Sequence, residues 1–384
     1  MSKDVLFVVD NLVMGGVTKV LVNLLDNMDS EKYNIDLLVL HYYKDMKVQV
    51  PEYVNLVDGN EFFSSVDMSI GRILKEKNIK EFFKKLALVI SLKSGRIKGK
   101  IEKARRKILK KKYDTEIAFN DGFSEIFVAN GDTPNKVAWM HTDISVHNDS
   151  RRYYGLIKES LEKMNTCACV SDRVREVYIK YYGMDEKKFQ TIHNIIDVDE
   201  IKNKGNENID IEFSDDVINL ISVGRLAMQK NYERFISVHK KLIDDGYKIN
   251  SYLIGDGLEK ENLENSIKEK KIEDTFFMLG RKDNPFPYVK KADLFVLSSI
   301  LEGLPTVLYE AIILGVPCIA TDVAGANEIL RDEYGMIVDN DDEALYIGLK
   351  KLLDDRKILE NYKLKVSMYK SENSDIIRKV EKII

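Results

Sequence analysis

The sequence is poor in cysteine. Three among 384 residues are too few for the disulfide framework of a small secreted domain. Cys167 and Cys169 lie in the apolar stretch 166–170, and no further Cys or His stands nearby at ligand spacing. They are expected to be buried structural thiols rather than zinc ligands, in a protein of the reducing cytoplasm. No apolar run is long enough to span a bilayer. The first residues run straight into a strand-like segment, so no signal peptide is expected. An excess of positive charge is lacking too. With 59 Lys and Arg against 63 Asp and Glu, the formal net charge is −4, which argues against a dedicated nucleic-acid binder.

What is present is a core-forming composition, 44% hydrophobic and 32% charged, at a length that suits two domains. The run from Val5 to Val9 reads as a buried parallel strand. A loop with Gly15 and Gly16 follows, then helical spacing at Val20, Leu21, Leu24, Leu25 and Met28, then a strand over 33–40. Strand, glycine loop, helix, strand is a βαβ unit, which builds parallel sheets. Residues from about 71 to 112 interrupt that rhythm. Strands over 115–119, 136–140 and 167–170 and a helix over 172–182 then resume it. Residues 202–216 have linker composition. A second alternating set begins with strands over 218–223, 250–254, 276–279, 294–297 and 317–320, and helices over 232–244, 261–270 and 306–314. The expected architecture is therefore α/β, with two Rossmann-like domains of parallel sheet facing a central cleft, over 1–200 and 201–365. The amphipathic end, 366–384, is expected to pack back on the first domain.

The most informative stretch is Ser298-Ser-Ile-Leu-Glu302-Gly303-Leu304-Pro305-Thr306-Val-Leu-Tyr-Glu310. A strand ends at Leu297, a glycine loop turns, and Pro305 suits the first turn of a helix. The first amides of that helix have no partner inside it and make an anion site. Glu302 in the loop and Glu310 over one turn into the helix can accept bonds from vicinal diols. Two solvated glutamates would be the bland alternative. Upstream, Gly224-Arg225-Leu226 follows a strand and Lys230-Asn231 opens a helix, so two cations stand where a departing diphosphate would need them. Gly255-Asp256-Gly257 alone is a weak signal and reads as a structural turn.

Taken in this order, the Gly-Arg-Leu-x3-Lys-Asn element, the Gly-x-Gly turn and the Glu-x7-Glu spacing resemble the retaining GT-B glycosyltransferases of family four, also called group 1. The likeness covers nearly all of residues 218–340. In the first half, Gly15-Gly16 is similar to the family's N-terminal glycine loop, and the segment Trp139-Met-His141-Thr-Asp143 to its histidine-bearing segment. Ile192–Asp197 is similar to the segment that closes the first domain, with Ile195 where a glycine is commoner. The resemblance implies that Arg225 and Lys230 neutralise the leaving diphosphate. Glu302, with the amides of Gly303, Leu304 and Thr306, would hold the donor sugar, and Glu310 would bind the ribose hydroxyls. It implies that His141 stands near the donor sugar and that Arg281 starts a base-binding loop, a surface arginine being the alternative there. For His193 the core or surface reading stands. Uridine is the base the likeness points to. No metal and no cofactor is implied, because no Asp-x-Asp element stands in the expected place; the nucleotide-sugar is a substrate.

The run Lys93–Lys112 holds eleven Lys or Arg and one acid, Glu102, after an apolar stretch over 82–92. Apolar residues followed by dense cations suit an anionic membrane surface, and a solvated helix face is the alternative. The expected protein is thus cytoplasmic, peripheral on the inner face of the membrane, and active on a saccharide or lipid-linked acceptor in cell-surface polysaccharide or glycoconjugate synthesis. Rival readings are another GT-B enzyme, such as a sugar-nucleotide epimerase or a phosphorylase, and a non-catalytic partner subunit. The Glu-x7-Glu element together with Lys230 favours the transferase over the first, and the joint presence of Arg225, Lys230, Glu302 and Glu310 argues against the second.

Overall fold

The computed structural model describes residues 2–13, 15–42, 48–66, 68–75, 77–145, 154–371 and 373–384. Within the insertion expected near 71–112, residue 76 lies outside these. The chain forms two compact units, one of Met1–Val170, Val174–Ile195 and Asn373–Ile384, the other of Ser171–Arg173 and Ile196–Glu372. The division falls at Ile196, a few residues before the linker-like composition begins.

The first unit is built on seven strands: β1 (Lys3–Val9), β2 (Tyr33–Val39), β3 (Asn55–Asp58), β4 (Thr115–Ala118), β5 (Asn135–Met140), β6 (Thr166–Cys169) and β7 (Phe189–Thr191). All pair in parallel, in the order β3-β2-β1-β4-β5-β6-β7. The second unit holds β8 (Ile218–Val223), β9 (Ile249–Ile254), β10 (Phe276–Gly280), β11 (Leu294–Leu297), β12 (Cys318–Thr321) and β13 (Gly335–Val338). These too are parallel, in the order β10-β9-β8-β11-β12-β13. In both sheets the first strand sits inside. The chain builds outward on one side, then returns to build on the other. The loops after β1 and β4, and after β8 and β11, therefore part at a switch point, the usual ligand position of such sheets.

Helices cover both faces, so the central strands are buried, as in β1, where Val5, Leu6, Phe7, Val8 and Val9 make an apolar run. In the second unit, helix Tyr232–Asp244 sets Phe235, Ile236 and Leu242 against Leu220 and Val296, and Leu345 and Leu349 of helix Asp342–Asp354 join the same core. Cys167, Cys169 and Cys318 are free and buried in strands. Three strands that periodicity does not reveal, β3, β7 and β13, are short edge strands, where one side lacks a neighbour and the apolar run is lost.

The insertion is helical: Ile70–Lys75, Ile79–Lys93 and Ile97–Ile108. Its cations are not all surface charges. Ile97, Ile101, Ala104 and Arg105 form the buried face of the last helix. Arg105 there makes two bonds, of 2.9 and 2.5 Å, to the carboxylate of Glu116 on β4. Lys111 pairs with Asp4 at 2.7 Å and Asp36 at 3.4 Å. The C-terminal helix Asn373–Ile383 belongs to the first unit, whereas the preceding helix, Arg356–Ser367, belongs to the second. The Ile384 carbonyl accepts from Lys3 Nζ at 3.1 Å and from Thr115 Oγ1 at 2.9 Å, and Asn135 Nδ2 donates to the Ile383 carbonyl at 2.7 Å. No helix among the described residues is long and apolar enough to cross a membrane.

Candidate functional site

At the second unit's switch point, β8 ends at Val223 and leads through Gly224 and Arg225 to a short turn, Met228–Lys230. Three loops are stitched together there. Leu226 donates its amide to the Asp256 carbonyl at 2.9 Å, and Ile300 donates to the Gln229 carbonyl at 2.8 Å. Gly255 and Gly257, both at φ +159°, allow the first contact. A Cβ at Gly255 would lie 1.9 Å from the Gly224 carbonyl oxygen, and one at Gly257 would lie 2.3 Å from that of Leu226. Only glycine permits this approach, so the Gly-x-Gly element is structural here.

Lys230 donates to Glu302 Oε1 at 2.6 Å, and Ser299 Oγ donates to the same oxygen at 2.6 Å. The pair is half-buried. The loop from 298 to 300 is fixed from several sides. Ser298 Oγ donates to the Lys230 carbonyl at 3.0 Å, and Thr321 Oγ1 to the Ser299 carbonyl at 2.7 Å. Buried Arg234 bonds the Ser298 carbonyl at 3.2 Å, Asn340 Oδ1 at 2.7 Å and Asp342 at 2.8 Å. Arg234, Ser299, Thr321 and Asn340 escaped the sequence reading. The available signal was Arg234 on the apolar face of its helix, where an arginine needs partners. Tyr232 is buried beside Gly224, and burial, then the Glu302 charge, pushes its phenol upward.

Pro305 caps the helix Thr306–Ile313, one residue before its first turn. The amides of Gly303, Leu304 and Thr306 find no acceptor among the described residues. They lie just beyond Glu302, so the pair and the open donors share one loop. Glu310 is half-buried in the second turn of that helix. Arg225 is exposed and forms no ion pair among the described residues. Arg281 is exposed as well, 3.9 Å from Asp283, after the edge strand β10, two positions from β8. The geometry thus joins Lys230 and Glu302 by a hydrogen bond, with Gly303, Leu304, Pro305 and Thr306 following on the same loop and Arg225 on the adjoining one, and leaves Arg281 outside.

The first unit's switch point has different chemistry. Asp10, just after β1, accepts from the amides of Phe123 at 3.1 Å and Ser124 at 2.8 Å, both in the first turn of helix Phe123–Ala129. Asp121 accepts from the His141 amide at 3.0 Å and from Tyr178 Oη at 2.6 Å. Glu125 is buried. Burial, then the Asp121 charge, holds its carboxyl well above the usual range. His141, at the end of β5, packs 4.8 Å from Phe119, ring to ring, and burial pushes it down to about 3, so its imidazole is neutral. Its Nε2 has no partner among the described residues. Gly15 and Gly16 are exposed at the start of helix Gly16–Asp26, and a Cβ would meet nothing nearer than 3.8 Å at either. The chain's own packing does not require them. Sequence spacing did not mark Asp10, Asp121 or Glu125. Among the described residues, no three His, Cys, Asp or Glu side chains converge as a metal-ligand set.

Two parallel-sheet units of this topology define the GT-B class of fold. Solved structures of similar fold include Anabaena HepE in complex with UDP, with a TM-score of 0.68 at 14% identity over 100% of this chain and 99% of that one. Another is sucrose-phosphate synthase from Thermosynechococcus elongatus, with a TM-score of 0.73 at 14% identity over 99% and 98%. Within the class, residues 204–366 match the family Glycosyl transferases group 1. A relative from Campylobacter jejuni is 33% identical over 50% of this chain and 51% of its own. It is an N-acetylgalactosamine-N,N'-diacetylbacillosaminyl-diphospho-undecaprenol 4-alpha-N-acetylgalactosaminyltransferase. The Escherichia coli UDP-Gal:alpha-D-GlcNAc-diphosphoundecaprenol alpha-1,3-galactosyltransferase is 28% identical over 56% of this chain and 58% of its own. The chain spans about half the length of the curated relatives it matches.

Proposed function

We propose that the protein is a retaining, metal-independent glycosyltransferase that moves a sugar from a nucleoside diphosphate sugar, with uridine as the base, to a saccharide or lipid-linked acceptor in cell-surface polysaccharide synthesis. The observation that carries this reading is the half-buried Lys230–Glu302 pair, followed at once by the open amides of Gly303, Leu304 and Thr306. A lysine held by a carboxylate is a charge already positioned, and unpaired amides next to it supply the donors that an anion needs. Arg225 on the adjoining loop adds a second, unpaired cation. Lys230 and Arg225 would stabilise the diphosphate as negative charge develops on it. Once the ligand is bound, Glu302 and the amides would hold the sugar hydroxyls, and Glu310 the ribose. Two relatives are named for diphosphoundecaprenol-linked acceptors, one of them with a UDP-sugar donor, which supports that choice of acceptor and base.

In the first unit, the open Nε2 of neutral His141 can donate or accept one hydrogen bond to a sugar hydroxyl, depending on its tautomer. The unfilled space over Gly15 and Gly16 would admit a ligand against backbone. Catalysis would rest on orientation and leaving-group stabilisation. The exposed cations of 93–112 would keep a cytoplasmic enzyme beside an anionic membrane where lipid-linked acceptors lie. The test is a thermal-shift screen of nucleoside diphosphate sugars followed by product analysis with a lipid-linked acceptor. A ligand at 100 times its Kd adds about 2.7 kcal/mol. Stabilisation by a diphosphate sugar with acceptor-dependent turnover supports the transferase. Conversion of the donor without acceptor would favour an epimerase, and stabilisation without turnover a non-catalytic binder.

A further inference from the structure

The helix Ile79–Lys93 presents two apolar faces, and only one of them is packed. Leu88 and Leu92 are buried, and Lys85 on the same side reaches the carbonyls of Ser65 and Val66 at 2.9 Å each. On the other side Ile79 is 72% exposed, Phe83 62%, Leu86 39% and Ile90 54%. At 3.6 residues per turn these four fall within a wedge of about 60°, a stripe about 16 Å long. Leu74, in the helix just before, is exposed as well. Soluble proteins rarely leave a continuous apolar stripe in water without a use for it.

The charges around the stripe name its partner. Lys80 and Lys93 flank it, and Arg96, Lys98 and Lys103 follow; all five are exposed, all but Lys103 at or beside a helix terminus, and none of the five forms an ion pair among the described residues. The single acid of the stripe's own helix, Glu81, is engaged by Ser64 Oγ at 2.7 Å and Lys84 at 3.0 Å. An apolar stripe rimmed by unpaired cations fits the boundary of an anionic bilayer, where the side chains enter the acyl region and the cations meet lipid phosphates. A protein partner would have to supply both an apolar groove and a ring of acids. We propose that Ile79, Phe83, Leu86 and Ile90 form an insertion wedge that seats the first unit in an anionic membrane surface. This rests on the membrane part of the proposed function, but relocates the principal contact from the basic run to the helix before it. It also explains why only part of that run needs to face lipid: Arg105 and Lys111 are held by Glu116, Asp4 and Asp36.

The full chain, co-sedimented with vesicles of phosphatidylglycerol and phosphatidylcholine, tests this. Wild type should bind at low salt and keep a residual fraction at about 1 M salt, where the Debye length is about 3 Å and charge attraction is screened. Phe83→Ser with Ile90→Ser should weaken partitioning at least about tenfold and abolish the salt-resistant fraction. Lys98→Glu with Lys103→Glu should remove mainly the salt-sensitive part. All four positions lie at the surface, so unchanged thermal unfolding is expected and is to be verified. If the apolar variant binds like wild type with the same salt profile, the wedge is wrong while the electrostatic reading stands. If wild type fails to bind anionic vesicles at low salt, both are wrong. A wild-type dimer that the apolar variant dissociates, with no vesicle binding by either, would assign the stripe to a second copy of the chain and overturn the proposal.

Discussion

Two ion pairs, Arg105–Glu116 in the first unit and Lys230–Glu302 in the second, are built for different purposes. Arg105–Glu116 in the first unit is buried and bidentate. Thr133 donates to the same carboxylate, and the guanidinium lies 5.0 Å over the Phe127 ring. It sits near the start of β4, away from the switch point, and both carboxylate oxygens are engaged. Lys230–Glu302 in the second unit is half-buried, makes a single bond, and lies beyond the carboxyl ends of β8 and β11 beside amides without acceptors. A closed pair contributes to the uniqueness of a fold. An open one at a switch point keeps capacity for a ligand. Position on the sheet and unspent hydrogen-bonding capacity, rather than the presence of opposite charges, separate the two.

Breaking the closed pair should have the largest effect on stability. Arg105→Ala leaves Glu116 buried without its cation, at a cost of about 3–5 kcal/mol. Denaturant unfolding should show that loss, whereas Lys103→Ala, at the surface, should stay within about 0.5 kcal/mol. The open pair should behave in the opposite way. Lys230→Ala and Arg225→Ala should each lower turnover by about a hundredfold or more and leave thermal unfolding nearly unchanged. A Lys230 variant that is destabilised as strongly as Arg105→Ala would erase the distinction.

How far the two sites could be read in the sequence follows from the same contrast. The interior strand β1 is covered on both faces and shows as an unbroken apolar run from Val5 to Val9. The edge strands Asn55–Asp58 and Phe189–Thr191 have no such run, and in Gly335–Val338 it is only three residues long. Arg225, Lys230, Glu302 and Glu310 were legible because one strand-loop-helix pattern, repeated twice, fixes where each falls. Asp10, Asp121 and Glu125 were not. Their carboxylates are defined by backbone amides and a tyrosine distant in sequence, and alone they look like ordinary loop acids. Within the basic run, the spacing of Ile97, Ile101, Ala104 and Arg105 places one arginine on the inner face.

Two buried histidines sharpen the comparison further. Burial pushes His141 and His239 each down to about 3. An unfolded histidine takes its proton near pH 6.5, while the folded protein resists until about pH 3. Each therefore contributes stability that is complete above pH 6.5 and is lost as pH falls through that window, at about 1.4 kcal/mol per pH unit per histidine. Replacing either by Gln should flatten the acid slope, read from unfolding at pH 7 and pH 5. Only the first should alter activity. His239 spends both nitrogens on Ser251 at 2.8 Å and Thr275 at 3.0 Å, whereas His141 keeps Nε2 open. The smallest effect on stability is expected at the glycine loop. Gly15→Ala and Gly16→Ala should change stability by about 0.5 kcal/mol or less, because each methyl group meets open space, while any loss of ligand affinity would mark the loop as a contact.

The central claim is that the second unit's open pair holds the diphosphate. Titration calorimetry with UDP on wild type, Lys230→Ala and Lys103→Ala tests it most directly. Loss of a charge-assisted bond of about 1.5–3 kcal/mol predicts binding about ten- to hundredfold weaker for Lys230→Ala and unchanged for Lys103→Ala. A folded Lys230→Ala protein that binds UDP as tightly as wild type would contradict it.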